Sequence, residues 1–258
     1  MKQSTIELLI NPYNGEGLRL EQENMLIDQS GNKIAIENGI PNFLALEKTE
    51  GLNQKYRLFY DRISNLNDIA EIIYSIFYDL KKLRSDWMKD VEVKENWKVL
   101  ETSVGTGWNF KVLPQNAHFY GLDISAGMLK QAKKNERKWK IPMELFQGNA
   151  EYLPFKDQVF DSVFHVGGIN FFNNRKRAID EMVRVAKPQT RIVIIDETEE
   201  RIAKQYRKTP FVGRFFNEAD VDKARTIAPV DLVPEEMLEV EVKLLDKGKM
   251  YQLSFRKP

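Results

Sequence analysis

The residues able to do chemistry stand at the ends of short apolar runs. Trp97-Lys98-Val99-Leu100-Glu101 is one such run, and Thr102-Ser103-Val104-Gly105-Thr106-Gly107 follows it. A strand that ends in an acidic residue and enters a Gly-rich turn lets the backbone approach a nucleotide-like ligand. A helix opened by that turn would offer free N–H groups to polar ligand atoms. Asp123 closes a second run, Ala117 to Asp123, and Asn149 follows a third, Met143 to Gln147. The chain has no cysteine, which excludes disulfides, thiolate metal sites and Cys nucleophiles. Its two histidines, His118 and His165, carry all imidazole chemistry at neutral pH. A dinucleotide fingerprint asks for Gly-x-Gly-x-x-Gly. Gly105 and Gly107 fit it, but Phe110 stands where close helix–strand packing needs the third glycine. No Gly-Lys-Ser/Thr follows, so a Walker phosphate loop is absent.

These residues need a scaffold that brings strand ends together. From about residue 96 strand and helix patterns alternate, which signals a parallel sheet. Strands are expected over Trp97–Glu101, Ala117–Asp123, Met143–Gln147, Phe160–Val166 and Thr190–Asp196, with helices over Ser125–Lys140 and Arg175–Ala186. Met237–Leu245 and Met250–Arg256, joined at Asp246-Lys247-Gly248, read as a closing hairpin. A mixed, helical insertion is expected from Glu197 to about Pro234. Residues about 47–95 read as a helical cover, with Ile69, Ile72, Ile73, Ile76, Phe77 and Leu80 at helical spacing. Residues 1–46 read as a small β-rich unit with strands at Ile6–Ile10, Leu18–Ile27 and Lys33–Ile36, too short to be stable alone.

A chain of 258 residues, 42% hydrophobic, suffices for one large domain with an appendage. No run approaches the roughly 18 apolar residues that span a bilayer. Met1-Lys2-Gln3-Ser4 lacks a basic region leading into an apolar core, so a cytoplasmic location is the expectation. A net charge of +1 provides no global field for nucleic acid or membrane.

Val99-Leu100-Glu101-Thr102-Ser103-Val104-Gly105-Thr106-Gly107 resembles the first motif of the class I S-adenosylmethionine-dependent methyltransferases, with Ser103 in place of the first glycine. Asp123-Ile124-Ser125-Ala126-Gly127-Met128 resembles the second motif, and Gly148-Asn149-Ala150-Glu151-Tyr152-Leu153-Pro154-Phe155 the Gly-Asp-Ala-Glu-x-Leu-Pro-Phe segment after the third strand. Asp157-Gln158-Val159-Phe160-Asp161-Ser162-Val163 and Val183-Arg184-Val185-Ala186-Lys187-Pro188 resemble the approaches to strands four and five. The resemblance implies an α/β, Rossmann-like, mostly parallel seven-stranded sheet with a C-terminal antiparallel hairpin. It implies that Glu101 serves the cationic end of S-adenosylmethionine, Asp123 its ribose hydroxyls and Asn149 its adenine amino group. Thr102, Ser103, Gly105, Gly107, Ile124 and Ala150 complete the implied cofactor set. Tyr60-Asp61-Arg62 resembles the Tyr-Asp entry helix of ubiquinone/menaquinone-type methyltransferases, which adds Tyr60. His165, at the end of strand four, is the candidate cofactor or acceptor contact and catalytic base; a structural, hydrogen-bonded role is the alternative.

The N-terminal unit resembles the zinc-ribbon-like domain fused to some bacterial methyltransferases, including ribosomal RNA guanine methyltransferases; an unrelated small β-meander is the alternative. Asn11 and Asn14 hold the places of the first ligand pair, Asp28 a third, and Gly39-Ile40-Pro41 matches the ending. Asn is a poor zinc ligand, so no metal is expected. The function implied is methyl transfer from S-adenosylmethionine to a small, partly apolar molecule. Strand four lacks Asn-Pro-Pro-Tyr, the mark of amino-group methylation on bases or glutamine. Phe171, Phe172, Phe211, Phe215 and Phe216 are candidates to line an apolar acceptor pocket, or ordinary core. Two other functions stay open: a non-catalytic cofactor-binding or interaction protein, suggested by Ser103, Asn149 and the missing metal ligands, and an RNA methyltransferase, suggested by the N-terminal resemblance.

Overall fold

A computed structural model of the chain describes residues 1–45, 49–62, 79–202 and 228–258. The first of these stretches opens with a single helical turn, α1 (Gln3–Ile6). The strand expected at Ile6–Ile10 is reduced to isolated bridges, Leu9 with Phe155 and Ile10 with Gly17. Four strands, β1 (Arg19–Gln22), β2 (Met25–Ile27), β3 (Lys33–Glu37) and β4 (Ile40–Pro41), then form an antiparallel sheet in sequence order. So small a sheet cannot bury a core by itself. Its Leu26, Ile34 and Ile36, with Phe43, instead join one cluster with Phe146 and Phe155 of the larger unit.

The places compared with metal ligands come together in space, but around a carboxylate. The side-chain amides of Asn11, Asn14 and Asn32 donate to Asp28 Oδ2 at 2.7, 2.8 and 2.9 Å. The Asn32 backbone N–H donates to Asp28 Oδ1 at 2.8 Å. N–H groups aimed at the centre suit an anion and oppose a cation. Burial works to raise the Asp28 carboxyl, but the bonds from Asn11, Asn32 and Asn14 outweigh it and hold it well below the usual carboxylate range. Asn32 is a fourth member that the sequence reading did not single out.

Residues 51–62 form α2, and α3 (Leu80–Trp87) is capped by Asp79, whose side chain accepts from Lys82 N–H at 2.9 Å. The periodic run Ile69–Phe77 lies outside the described residues, as do Phe211, Phe215, Phe216 and most of the insertion. The remaining strands are β5 (Lys98–Glu101), β6 (His118–Asp123), β7 (Met143–Gln147), β8 (Ser162–Val166), β9 (Arg191–Glu197), β10 (Leu238–Leu245) and β11 (Met250–Arg256). They form one sheet in the order β10-β11-β9-β8-β5-β6-β7. The strands from β7 to β9 are parallel; β11 runs antiparallel to both β9 and β10. Strand order reverses at β5, between β6 and β8, and such a switch point opens a crevice at the carboxyl ends of the strands.

Two helices flank the sheet with conventional ends. Ser125 caps α4 (Ala126–Trp139) by accepting from Met128 N–H at 3.1 Å, and Asn174 caps α5 (Arg175–Val185) by accepting from Arg177 N–H at 3.0 Å. One expected element is different. The turn after β5 leads into a short 3₁₀ segment, Asn109–Val112, not a full helix. Leu113 is extended before Pro114, as a residue preceding proline prefers. Phe110 drops into the core, stacked on Phe119 at 4.7 Å. The crevice is therefore walled by the turn's own backbone, without a long helix N-terminus behind it.

The Asp28 centre generates a test. A chelator should leave the thermal unfolding midpoint of the chain unchanged. Asp28→Ala, which leaves the buried Asn11 amide without its acceptor, should lower it by several degrees. Because the folded-state pKa is depressed, the wild-type contribution is complete above about pH 4 and is lost as pH falls toward the folded value. Calorimetric scans at neutral and acid pH read both effects; a midpoint that drops with chelator would contradict the hydrogen-bonded centre.

Candidate cofactor cleft

The crevice at the switch point is a cavity open to solvent on one side. Thr102, Ser103 and Gly105 line it after β5, Asp123 and Ile124 after β6, Asn149 and Ala150 after β7, and Val166 and Gly167 at the end of β8. The cover α2 adds Asn53, Tyr56 and Tyr60, and Phe172 closes one side.

Asp123 sits where β6 ends and α4 begins. Its Oδ2 accepts from Gly105 N–H at 2.8 Å and its Oδ1 from Ser125 N–H at 2.9 Å. Burial pushes its carboxyl up to about 6, against those backbone bonds, and the Asp61 carboxylate pushes the same way. Gly105 has φ +53°, a left-handed conformation that places its N–H on Asp123. Ser103 does not share that conformation, so a β-carbon there carries no backbone strain. Gly107 is left-handed too, at φ +80°, but it does not line the cavity. A β-carbon on it would come within 2.9 Å of Met143 Sδ. Its α-carbon packs beneath the turn, behind the cavity wall.

Glu101 lies under the same turn, fully buried. Its Oε1 accepts from the Asn109 side-chain amide at 2.5 Å, and Asn109 Oδ1 accepts from Arg84 of α3 at 2.7 Å. Its Oε2 has no hydrogen-bond partner among the described residues. Burial drives its carboxyl well above the usual range, more than Asn109 and the Arg84 charge draw it down. A buried carboxyl oxygen left unmatched is costly. Asn149 Oδ1 accepts from Glu151 N–H at 3.0 Å, so the amide oxygen that the sequence assigns to adenine already closes a local turn. That oxygen retains a second lone pair.

His165 lies behind the cleft. It is completely buried and outside the cavity wall. Its Nδ1 is 3.0 Å from Thr102 Oγ1, and burial lowers its pKa to about 3. Thr102, its neighbour, does line the cavity. His118 stands at the opposite, N-terminal end of β6.

The cover is attached at both ends. Leu52 N–H donates to Asn173 Oδ1 at 2.9 Å, and the Asn53 amide donates to Glu151 Oε1 at 2.8 Å. At the other end Asp61 Oδ1 accepts from Ser125 Oγ at 2.6 Å and from Gly127 N–H at 3.1 Å, at the start of α4. Between them Tyr56 and Tyr60 lie with ring centroids 4.5 Å apart, and Tyr56 stacks on Phe171 at 5.4 Å. Burial raises the Tyr60 phenol to about 12, with the Glu197, Asp196 and Asp123 charges adding to it against a hydrogen bond from Tyr56. Tyr56, Asp61, Asn53 and Asn109 were not singled out from the sequence. Asp61 adjoins Tyr60 in the quoted Tyr-Asp pair; Asn109 carries no sequence signal of its own.

Residues 100–194 match the family described as "Methyltransferase domain". The demethylmenaquinone methyltransferase of Thermotoga maritima is 33% identical over 185 residues, covering 65% of this chain and 76% of that protein. That of Lactiplantibacillus plantarum is 29% identical over 160 residues, which are 60% of this chain, and the match spans only 64% of that protein's length. Among solved structures, a SAM-dependent methyltransferase from Aquifex aeolicus shares the fold with a TM-score of 0.51 at 19% identity, covering 68% of this chain and 89% of that one. With its sheet order, its cleft at the switch point and its likeness to the Thermotoga protein, the chain belongs to the class I S-adenosylmethionine-dependent methyltransferases.

Proposed function

We propose that the protein transfers a methyl group to a small, partly apolar aromatic acceptor of the quinol type. The observation that carries the reading is the two-sided cleft. Thr102, Asp123 and Asn149 supply polar groups on one side, and Tyr56, Tyr60 and Phe172 supply an aromatic wall on the other. The relatives named for demethylmenaquinone support the acceptor class.

S-adenosylmethionine, when bound, supplies a methyl group activated by its sulfonium charge. Asp123 accepts the ribose hydroxyls with the lone pairs that its backbone bonds leave free. Glu101, which lies behind the cavity wall, answers the ammonium group directly or through water. Asn149 and Ala150 meet the adenine edge. Tyr60, held protonated at neutral pH, donates its O–H to an acceptor oxygen. The cover excludes water, and the aromatic wall orients the acceptor ring, which is most of what methyl transfer needs. Two grounds for a non-catalytic reading are weakened: Ser103 carries no backbone strain, and Asn149 makes the local turn that an aspartate in its place would make.

Calorimetry with S-adenosylhomocysteine tests the cofactor assignment. Affinity should fall as pH drops through about 6, because a protonated Asp123 accepts fewer hydrogen bonds. Asp123→Asn should weaken binding about tenfold to a hundredfold, the range of a hydrogen bond to a charged group, and flatten that pH dependence. Full affinity in the Asn variant would remove Asp123 from the site.

The role of His165 is tested with a quinol acceptor. His165→Asn, which can still pair with Thr102, should lower turnover less than about tenfold and keep the shape of the pH profile. A loss of a hundredfold or more, in the range of general-base catalysis, would restore it as the base. Salt-sensitive RNA binding, in place of quinol turnover, would favour the RNA methyltransferase reading.

A further inference from the structure

The loop that carries Asn149 and Ala150 into the cleft is held from outside by residues 1–45. Before the loop, Phe43 N–H donates to Gln147 O at 2.8 Å. After it, Ile10 N–H donates to Pro154 O at 3.1 Å, and Lys156 N–H donates to Leu8 O at 2.9 Å. Between these clamps the Tyr13 ring packs on Tyr152, with centroids 5.4 Å apart. The Tyr13 hydroxyl donates to Phe43 O and accepts from Ala45 N–H, both at 3.2 Å. One side chain thus joins the loop to the segment that clamps its start.

Tyr13 is itself fixed by the carboxylate centre. Its N–H donates to Asn11 Oδ1 at 3.1 Å, and the Asn11 amide donates to Asp28. On the inner side, Arg177 stacks over Tyr152 at 4.0 Å and its Nε donates to Glu151 O at 2.7 Å. The loop is held between α5 and the N-terminal unit.

We infer that Tyr13 is a positioning residue for the loop at 148–153, and that residues 1–45 form the outer support of the cofactor site. No residue of 1–45 lines the cofactor cleft itself, so the unit acts through packing. The inference rests on the assignment of Asn149 and Ala150 to the adenine end of the cofactor. A loop ordered in advance spares the ligand the entropy of ordering it.

The test uses the full chain with Tyr13→Ala and the milder Tyr13→Phe. Calorimetry is run with S-adenosylhomocysteine and with 5′-methylthioadenosine, which keeps adenine and ribose but lacks the amino-acid end. Tyr13→Ala should weaken both ligands by about tenfold, the scale of a sub-ångström misplacement. Hydrogen exchange should quicken at the amides of 148–153 and stay unchanged at 101–107. Tyr13→Phe, which keeps the ring but loses the hydroxyl bonds, should fall between wild type and Tyr13→Ala on both measures. Unchanged affinity with unchanged loop exchange overturns the inference. So does a rise in exchange spread evenly over the chain, which marks general destabilisation. Failure of the wild type to bind either ligand would sink the cofactor assignment, and the exchange comparison would still decide whether Tyr13 holds the loop.

Discussion

Asp123 accepts backbone N–H groups from both directions along the chain, Gly105 behind it and Ser125 ahead. These two bonds fix the Gly-rich turn to the end of β6 and the end of β6 to the start of α4. A third tie comes from the cover, because Asp61 bonds Ser125 Oγ and Gly127 N–H at the same helix start. Turn, strand end, helix and lid therefore meet at one pair of carboxylates. The arrangement is costly without a ligand, since burial and the neighbouring Asp61 both raise the Asp123 carboxyl. A ligand that donates hydrogen bonds to Asp123 would relieve that cost.

The same logic runs on the other side of β5. Asp196, at the end of β9, is buried, and burial pushes it up to about 7 against the bonds it accepts. Its Oδ2 accepts from Gly168 N–H at 3.2 Å and Asn170 N–H at 2.9 Å. Tyr251 of β11 donates to Asn170 Oδ1 at 3.1 Å. These bonds shape the loop that follows β8. Gly168 is left-handed there, φ +107°, and a β-carbon would come within 2.8 Å of the Tyr56 hydroxyl. The aromatic wall of the cleft fits because the loop opposite it has no side chain at that point. The antiparallel hairpin thus contributes to the cleft through Tyr251, although it lies two strands from the switch point.

The alternation of strand and helix after residue 96 was legible because parallel strands buried on both faces leave long apolar runs. Every strand of the large sheet falls within two residues of its expected bounds. Asp123 was legible for the same reason: a charge at the end of such a run has few structural uses. What the pattern could not supply was direction. His165 reads as a strand-end imidazole open to the cleft, but its ring is buried behind the wall, against Thr102 and Phe172. Gly107 reads as ligand-facing, but its α-carbon faces Met143. Alternation gives a face only where one side is wet, and β8 has none before Val166. Asn109, Asp61 and Asn53 were missed because their partners are 8, 64 and 98 residues away, separations that no local pattern encodes.

The N-terminal unit shows the converse: the residues compared with metal ligands come together in space, but as partners of one another. A metal centre joins distant segments through an attraction between a cation and its donors. Here the sign is reversed: Asp28 supplies the negative centre, and three asparagines supply the N–H groups around it. Asparagine is a poor metal ligand but a good donor to a carboxylate, so substitutions that read as losses are mutually consistent. The three amides fit only if the fourth position carries the charge. The centre then needs no ion from solution, and its strength depends on the ionisation of a carboxyl that its own partners keep charged. That makes the support beneath Tyr13 a property of the chain alone.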